Sequence, residues 1–219
     1  MTTTRLAIIG AGGFGREVHD VVEAIEDSGR PDRLVVVGFL ADGDGDVSLV
    51  EERGVPFLGP VAELEGLPDD VGYVVAIGSG AARRAIDTWA SGLGRPAVTL
   101  VHPAASVGRH RVELGPGTVV LSGATITTNV RTGRSAQVHA GVVVGHDATI
   151  GDYATLCPNV SVTGNVTVGD GAFLGSGCSV VPGVTIGANA VVGAGAAVVS
   201  DIPADALALG VPARVRPPR

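Results

Sequence analysis

The stretch that decides the fold runs Val144-Gly-His-Asp-Ala-Thr-Ile150-Gly-Asp-Tyr-Ala-Thr-Leu156-Cys-Pro-Asn-Val-Ser-Val162. An aliphatic residue returns every six positions, and the phase extends from Leu114 to Val198. Of the fifteen residues at that phase fourteen are aliphatic, and Thr132 is the exception. A small or branched residue follows four places later, as at Ala148, Ala154, Val160 and Cys178. Gly often comes directly after the aliphatic, at Gly145, Gly151, Gly169, Gly175, Gly187 and Gly193. A helix cannot hold a six-residue phase on one face, and an ordinary strand needs no Gly every six. A parallel β-solenoid can. Each six supplies a short strand and a turn, with the aliphatic inward and Gly expected to permit the turn dihedrals. This is the hexapeptide signature of a left-handed β-helix, three sixes to a triangular coil.

The composition agrees. The chain has 219 residues with 34 Gly and is 45% hydrophobic but only 3% aromatic. Disorder requires a dearth of aliphatics, so it is excluded. A narrow, regular core of Val, Ile, Leu and Ala is what remains. Charge is uneven: residues 1–100 hold 16 acids and 8 arginines, residues 101–219 hold 6 acids and 7 arginines. Two domains with different partners are expected, the second taking a small anionic ligand; a nucleic-acid binder would be far more basic. Cys157 and Cys178 have neither metal-type nor disulfide spacing. No basic stretch followed by an apolar run opens the chain, and no apolar run approaches ~18 residues. A cytoplasmic protein without a membrane partner is expected.

Before the repeats, the reading is α/β. Arg5–Gly10 reads as a buried strand, Gly10-Ala-Gly-Gly-Phe-Gly15 as a turn, and Arg16 to about Glu26 as a helix. Such a turn lets backbone amides approach a phosphate at the helix N-terminus. Further strands are predicted at Leu34–Leu40, Tyr73–Ile77 and Ala97–Val101. Asp42 after the second strand could take ribose hydroxyls, and Gly78-Ser79-Gly80 after the third opens another helix. Candidate substrate-binding residues are Gly10, Gly12, Gly13, Phe14, Gly15, Asp42, Gly78 and Ser79. The fold class is therefore α/β plus all-β: a Rossmann-like parallel-sheet domain over 1–103, then a left-handed β-helix domain over 104–219.

The combination resembles the NeuD/PglD-like sugar acyltransferases over nearly the whole chain. The matching marks are Gly10–Gly15, Gly38-Phe-Leu-Ala-Asp42, Ala76-Ile-Gly78, His102-Pro103, Gly145-His146-Asp147 and Leu209-Gly-Val-Pro-Ala-Arg214. The resemblance implies a nucleotide-sugar-binding domain over 1–103 and an acyltransferase domain over 104–219, with acetyl-CoA as donor, direct transfer in a ternary complex, and a homotrimer with sites between neighbouring β-helices. By motif the family's catalytic His falls on His146 and its orienting acid on Asp147. A His base suits acyl transfer near neutral pH, and the third position of a hexapeptide should project outward. The implied acceptor is a UDP-, dTDP- or GDP-linked 4-amino-4,6-dideoxy sugar; O-acetylation of a sialic acid is the alternative.

Where some relatives carry a second His near the thioester, this chain has Thr155. The adenine end of the donor is implied near the later coils, making Thr155, Gly164, Asn165, Gly175, Gly193 and Arg214 candidate donor contacts. Arg216, Arg219, Arg109, Arg111, Arg131 and Arg134 supply further positive charge. Eighteen residues after His146 stands Gly164, expected to leave room for the acyl arm; eighteen after His139 stands Cys157. Cys157 as a covalent nucleophile is disfavoured by the family's direct transfer. A zinc hydratase of the γ-carbonic anhydrase kind would need three His, but His102 and His110 precede His139 and His146 by too far, so no metal is expected. A purely structural solenoid is disfavoured because the repeat is interrupted by chemistry rather than decorated with regular Thr ladders.

Overall fold

In a computed structural model, residues 3–29, 31–43 and 47–216 are described. Arg219 lies outside them. The chain divides into two compact units, Met1–Pro103 and Ala104–Arg219.

The first unit is a parallel sheet of β1 (Thr3–Ile9), β2 (Arg33–Leu40), β3 (Phe57–Gly59) and β4 (Val71–Val75), in the order β3-β2-β1-β4. Helices α1 (Gly13–Asp27), α2 (Ser48–Glu51) and α3 (Gly80–Gly92) connect the strands, with a 3-10 turn at Val61–Gly66. Leu6, Ala7, Ile8 and Ile9 are all buried, as expected of a parallel strand covered on both faces. The predicted third strand begins two residues earlier, at Val71, and stops before Ile77. The fourth reduces to a bridge between Tyr73 and Ala97 and a two-residue strand at Leu100–Val101. β3 is the edge strand that the sequence reading missed. Pro56 and Pro60 confine it to three residues, too short to show alternation.

Buried polar side chains join β4 and the residues that follow it to α3. The Tyr73 hydroxyl lies 2.7 Å from Asp87 Oδ1 and 2.9 Å from Ser91 Oγ. Arg83, fully buried, donates from Nη1 to the carbonyls of Ile77 (2.8 Å) and Gly78 (2.9 Å). Burial lowers its pKa to about 10, which still leaves it charged at neutral pH.

The second unit is a left-handed parallel β-helix. Sixteen two-residue strands run from Ser106–Val107 to Ala197–Val198 and stack into three parallel sheets. Partners step by 18 residues, for example Val143↔Ser161 and Val144↔Val162. One extra residue enters the first step, where Ser106 pairs with Thr125. The expected inward aliphatics are buried from Val120 to Val198, and Leu114 at the first coil is half-buried. Thr132 keeps its place in the stack because its hydroxyl is used: it accepts from Gly115 N–H at 3.1 Å and lies 3.2 Å from Thr118 Oγ1.

The glycine reading needs correction. The left-handed corner lies three residues after the inward position, not one, from Leu114 to Val192. It is filled in strict phase by Gly117, Gly123, Asn129, Ser135, Gly141, Asp147, Tyr153, Asn159 and Asn165, and onward to Gly195. Asn, Asp and Gly are the residues that tolerate that conformation most readily. The glycines directly after the aliphatics have another cause. A Cβ on Gly169 would stand 2.5 Å from Ala188 N, and one on Gly151 would stand 2.5 Å from Asp170 N. They are glycines because neighbouring coils approach too closely for a side chain.

A second correction concerns threonine. Thr149, Thr167 and Thr185 do stack in register along one sheet. That row is three rungs long and is preceded by the Arg131–Glu113 ion pair.

Candidate active site

The Gly145–Asp147 turn stands on the corner of a coil, and its backbone is fixed from both sides. The His146 carbonyl accepts from Asn165 N–H at 2.9 Å, and Asp147 N–H donates to Thr128 O at 3.1 Å. Gly145 must lack a side chain, since a Cβ would lie 2.6 Å from the Thr163 carbonyl carbon. The His146 side chain is 59% exposed, so the third hexapeptide position does project outward.

His146 Nδ1 and Asp147 Oδ2 are 2.7 Å apart. A carboxylate only accepts, so the imidazole donates from Nδ1 and presents Nε2 as its basic nitrogen. The other carboxylate oxygen, Oδ1, accepts from Asn129 Nδ2 at 2.9 Å. The Asn129 carboxamide and then the His146 imidazole hold the Asp147 carboxyl below the usual carboxylate range. Asn129 was not foreseen. Its signal is the coil period itself, because Asn129 stands 18 residues before Asp147.

Gly164 serves His146 differently from the expectation. A Cβ there would fall 2.5 Å from both Cε1 and Nε2 of the ring. The space it leaves is taken by the imidazole rather than by an acyl arm. Asn165 occupies the next left-handed corner, with φ of 59°. Gly175 and Gly193 are explained by packing, the one against Ala194 N at 2.6 Å and the other against Leu209 Cδ2 at 2.3 Å. Thr155 is buried, with 3% exposure, and therefore offers a donor no side-chain surface within this chain. Arg214 is exposed and donates to the Ala213 carbonyl.

His139 is half-buried, and its backbone N–H donates to Leu156 O. No group of three potential metal ligands among the described residues includes His139 or His146. The one such group is His19, Asp20 and Glu23 in the first unit, where the Arg53 guanidinium already bonds to His19 and Asp20. Burial raises the thiol pKa of Cys157 and pushes that of Cys178 up to about 12. Both thiols stay protonated at neutral pH, which argues against a thiolate nucleophile.

In the first unit a cavity of about 510 Å³ opens at the carboxyl ends of β1 and β2. Gly10, Gly12 and Asp42 line it, together with Arg16, Phe57 and Ile77, which sequence reasoning did not single out. Gly12 is the N-cap of α1, and nothing stands within 4 Å of where its Cβ would be, so a ligand can approach its backbone. Gly10 and Gly15 are there for packing. Gly10 has φ of +120°, and a Cβ on Gly15 would lie 1.9 Å from Gly10 O. Gly13, Phe14, Gly15, Gly78 and Ser79 are not among the lining residues. Ser79 instead caps α3 by accepting from Ala82 N–H at 3.3 Å, and the Gly78 carbonyl is bound to Arg83. Asp42 Oδ1 accepts from Val61 N–H at 2.9 Å, which fixes the carboxylate at the rim.

Comparison with known proteins bears on both units. The PglD N-terminal domain family matches residues 5–89, and the bacterial transferase hexapeptide (six repeats) matches 129–164 and 165–199. A curated relative, the UDP-N-acetylbacillosamine N-acetyltransferase of Bacillus subtilis (strain 168), is 36% identical over 121 residues. That match spans 53% of this chain and about half, 51%, of the relative. PerB from Caulobacter crescentus, solved with CoA and GDP-perosamine, is 36% identical over 97% of each chain, with a TM-score of 0.85. The acetyltransferase domain of PglB from Neisseria gonorrhoeae, solved with acetyl coenzyme A, is 29% identical. It covers 98% of this chain and 100% of its own, with a TM-score of 0.87. This chain belongs to the PglD-like family of hexapeptide-repeat sugar N-acetyltransferases.

Proposed function

We propose that this protein transfers the acetyl group of acetyl-CoA to the 4-amino group of a nucleotide-linked 4-amino-4,6-dideoxy sugar. His146 is the general base and Asp147 its orienting acid. The observation that carries this reading is the 2.7 Å Asp147–His146 contact on an outward corner of the β-helix. It leaves the basic nitrogen, Nε2, as the proton acceptor. The amine nitrogen attacks the thioester carbonyl, and its proton passes to Nε2. The C–N bond forms as the C–S bond breaks, and the proton then neutralises the departing thiolate. CoA brings its phosphates to the near-neutral solenoid unit, where Arg214 is one exposed cation.

The nucleotide occupies the cavity at Gly10, Gly12 and Arg16, its diphosphate toward the amides at the start of α1. GDP-perosamine and UDP-linked 4-amino sugars are the first acceptors to try, given PerB and the Bacillus relative. The working form is a cytoplasmic homotrimer whose acyl sites lie between neighbouring solenoids. Among the described residues no helix is long and apolar enough to cross a membrane.

Thiol release from acetyl-CoA with each acceptor tests the activity. Release that depends on a 4-amino sugar nucleotide supports the reading; its absence with UDP-, dTDP- and GDP-linked acceptors contradicts it. Thermal shift with UDP, dTDP and GDP tests the cavity separately.

A further inference from the structure

We infer that Asn129 is a positioning residue for acyl transfer: its carboxamide locks the Asp147 carboxylate in the orientation that fixes the His146 imidazole. The inference rests on the general-base reading of His146 given above. Asn129 and Asp147 occupy the same corner on successive coils, both left-handed, with φ of 56° and 59°. Stacking at that corner brings Asn129 Nδ2 to 2.9 Å from Asp147 Oδ1, while His146 Nδ1 takes Oδ2 at 2.7 Å.

The side chain of Asp147 is 45% exposed, so burial does not hold it. Two donors, one on each oxygen, define the carboxylate plane where a single donor would let it turn. The imidazole is confined on its other side by the Gly164 backbone, which leaves no room for even a methyl group. Among the described residues, the charged or titratable group acting on Asp147 is His146.

The molecule contains its own comparison. Asn189 Nδ2 donates to Asp205 Oδ1 at 3.0 Å on another corner, again between left-handed residues, but Asp205 is flanked by Ala204 and Ala206. Asn-over-Asp stacking is thus a corner device of this solenoid, and at Asn129 it is joined to a histidine.

Asn129→Gly is the clean variant, because Gly keeps the left-handed corner without strain and removes only the carboxamide. Nitrogen-15 NMR of the full chain, with the His146 signals assigned by their loss in His146→Ala, reads the imidazole tautomer without any acceptor sugar. The wild type should show His146 protonated at Nδ1. Asn129→Gly should move it toward the Nε2–H form that a free imidazole prefers, and Asn189→Gly should leave it unchanged. With acetyl-CoA and an accepted sugar nucleotide, Asn129→Gly should lower kcat about tenfold with the acetyl-CoA KM unchanged. It should cost nothing further in an Asp147→Ala background.

Retention of both the Nδ1–H tautomer and wild-type kcat in Asn129→Gly would overturn the inference. An equal loss of kcat in the Asp147→Ala background would overturn it too, since Asn129 would then act elsewhere. If His146→Ala keeps wild-type kcat, the general-base reading falls and takes this inference with it. If His146→Ala is inactive while Asn129→Gly behaves as wild type in both measurements, only the role of Asn129 is wrong.

Discussion

The two units use glycine on different scales, once in the first and periodically in the second. In the first, Gly10 and Gly15 let a strand, a turn and a helix come close once, beside a cavity. In the solenoid one requirement is repeated coil after coil, and it separates two kinds of glycine. Those just after the inward aliphatic press against the next coil, whereas those three places after it sit at a left-handed corner. Gly177 is of the second kind, with φ of +68° and nothing within 4 Å of a would-be Cβ. A repeated fold makes each constraint visible many times over; a fold built once hides it in a single residue.

The largest expected effect breaks that comparison at its tightest points. Gly15→Ala and Gly169→Ala each force a Cβ against backbone, at 1.9 Å from Gly10 O and 2.5 Å from Ala188 N. Each should cost about 3 kcal/mol or more in thermal or denaturant unfolding. Gly15→Ala should also abolish the thermal shift given by a bound nucleotide. Gly177→Ala should cost only about 1 kcal/mol, the strain of the corner alone. Equal losses at Gly169 and Gly177 would merge the two kinds of glycine again.

Thr132→Val is the next test. It completes the aliphatic stack but removes one of two acceptors for Gly115 N–H, which keeps the Thr132 carbonyl at 3.0 Å, and one of two partners of the Thr118 hydroxyl, which keeps the Gly133 carbonyl at 3.0 Å. A destabilisation of about 1 kcal/mol is expected despite the better pattern match, since hydrogen bonds are lost but no buried donor is left without an acceptor. Stabilisation would show that the aliphatic phase outweighs the hydrogen bonds.

The smallest effect concerns His19 on α1, which is buried against Phe39 and faces Glu23, Arg53 and Asp20. Burial lowers its pKa from the ordinary 6.5, so the unfolded chain binds its proton first as pH falls. Its contribution is fully present above pH 6.5 and is lost as pH drops through the lowered value. Tm measured from pH 8 to about 5 should decline less in His19→Gln than in the wild type. Parallel curves would show that His19 carries no acid sensitivity.

What the sequence made legible follows the same division. The solenoid could be phased to the residue because each inward position recurs, so Thr132 stood out as an exception before its bonds were known. The reason for its glycines was misassigned, since close approach and left-handed turns both call for Gly, and only dihedral angles separate them. In the first unit β1 and β2 were readable from apolar runs, and α1 from the Gly-rich turn that precedes it. β3 was not, because three residues between two prolines carry no periodicity.

The site divides likewise. The sequence pointed to His146 and Asp147 through a local motif, while Asn129 belongs to the preceding coil, a full period away in sequence. Ser79 and Gly78 looked like ligand contacts because Gly and Ser after a strand suit both a phosphate and a helix cap. Here the cap and the buried Arg83 use them.

The central claim is that His146, oriented by Asp147, takes the proton from the attacking amine. Its most direct test is thiol release from acetyl-CoA with a 4-amino sugar nucleotide that the wild type accepts, comparing wild type with His146→Ala. The account predicts that kcat falls by roughly 10²-fold or more in the variant while its Tm is retained. Turnover by a folded His146→Ala at the wild-type rate would contradict it.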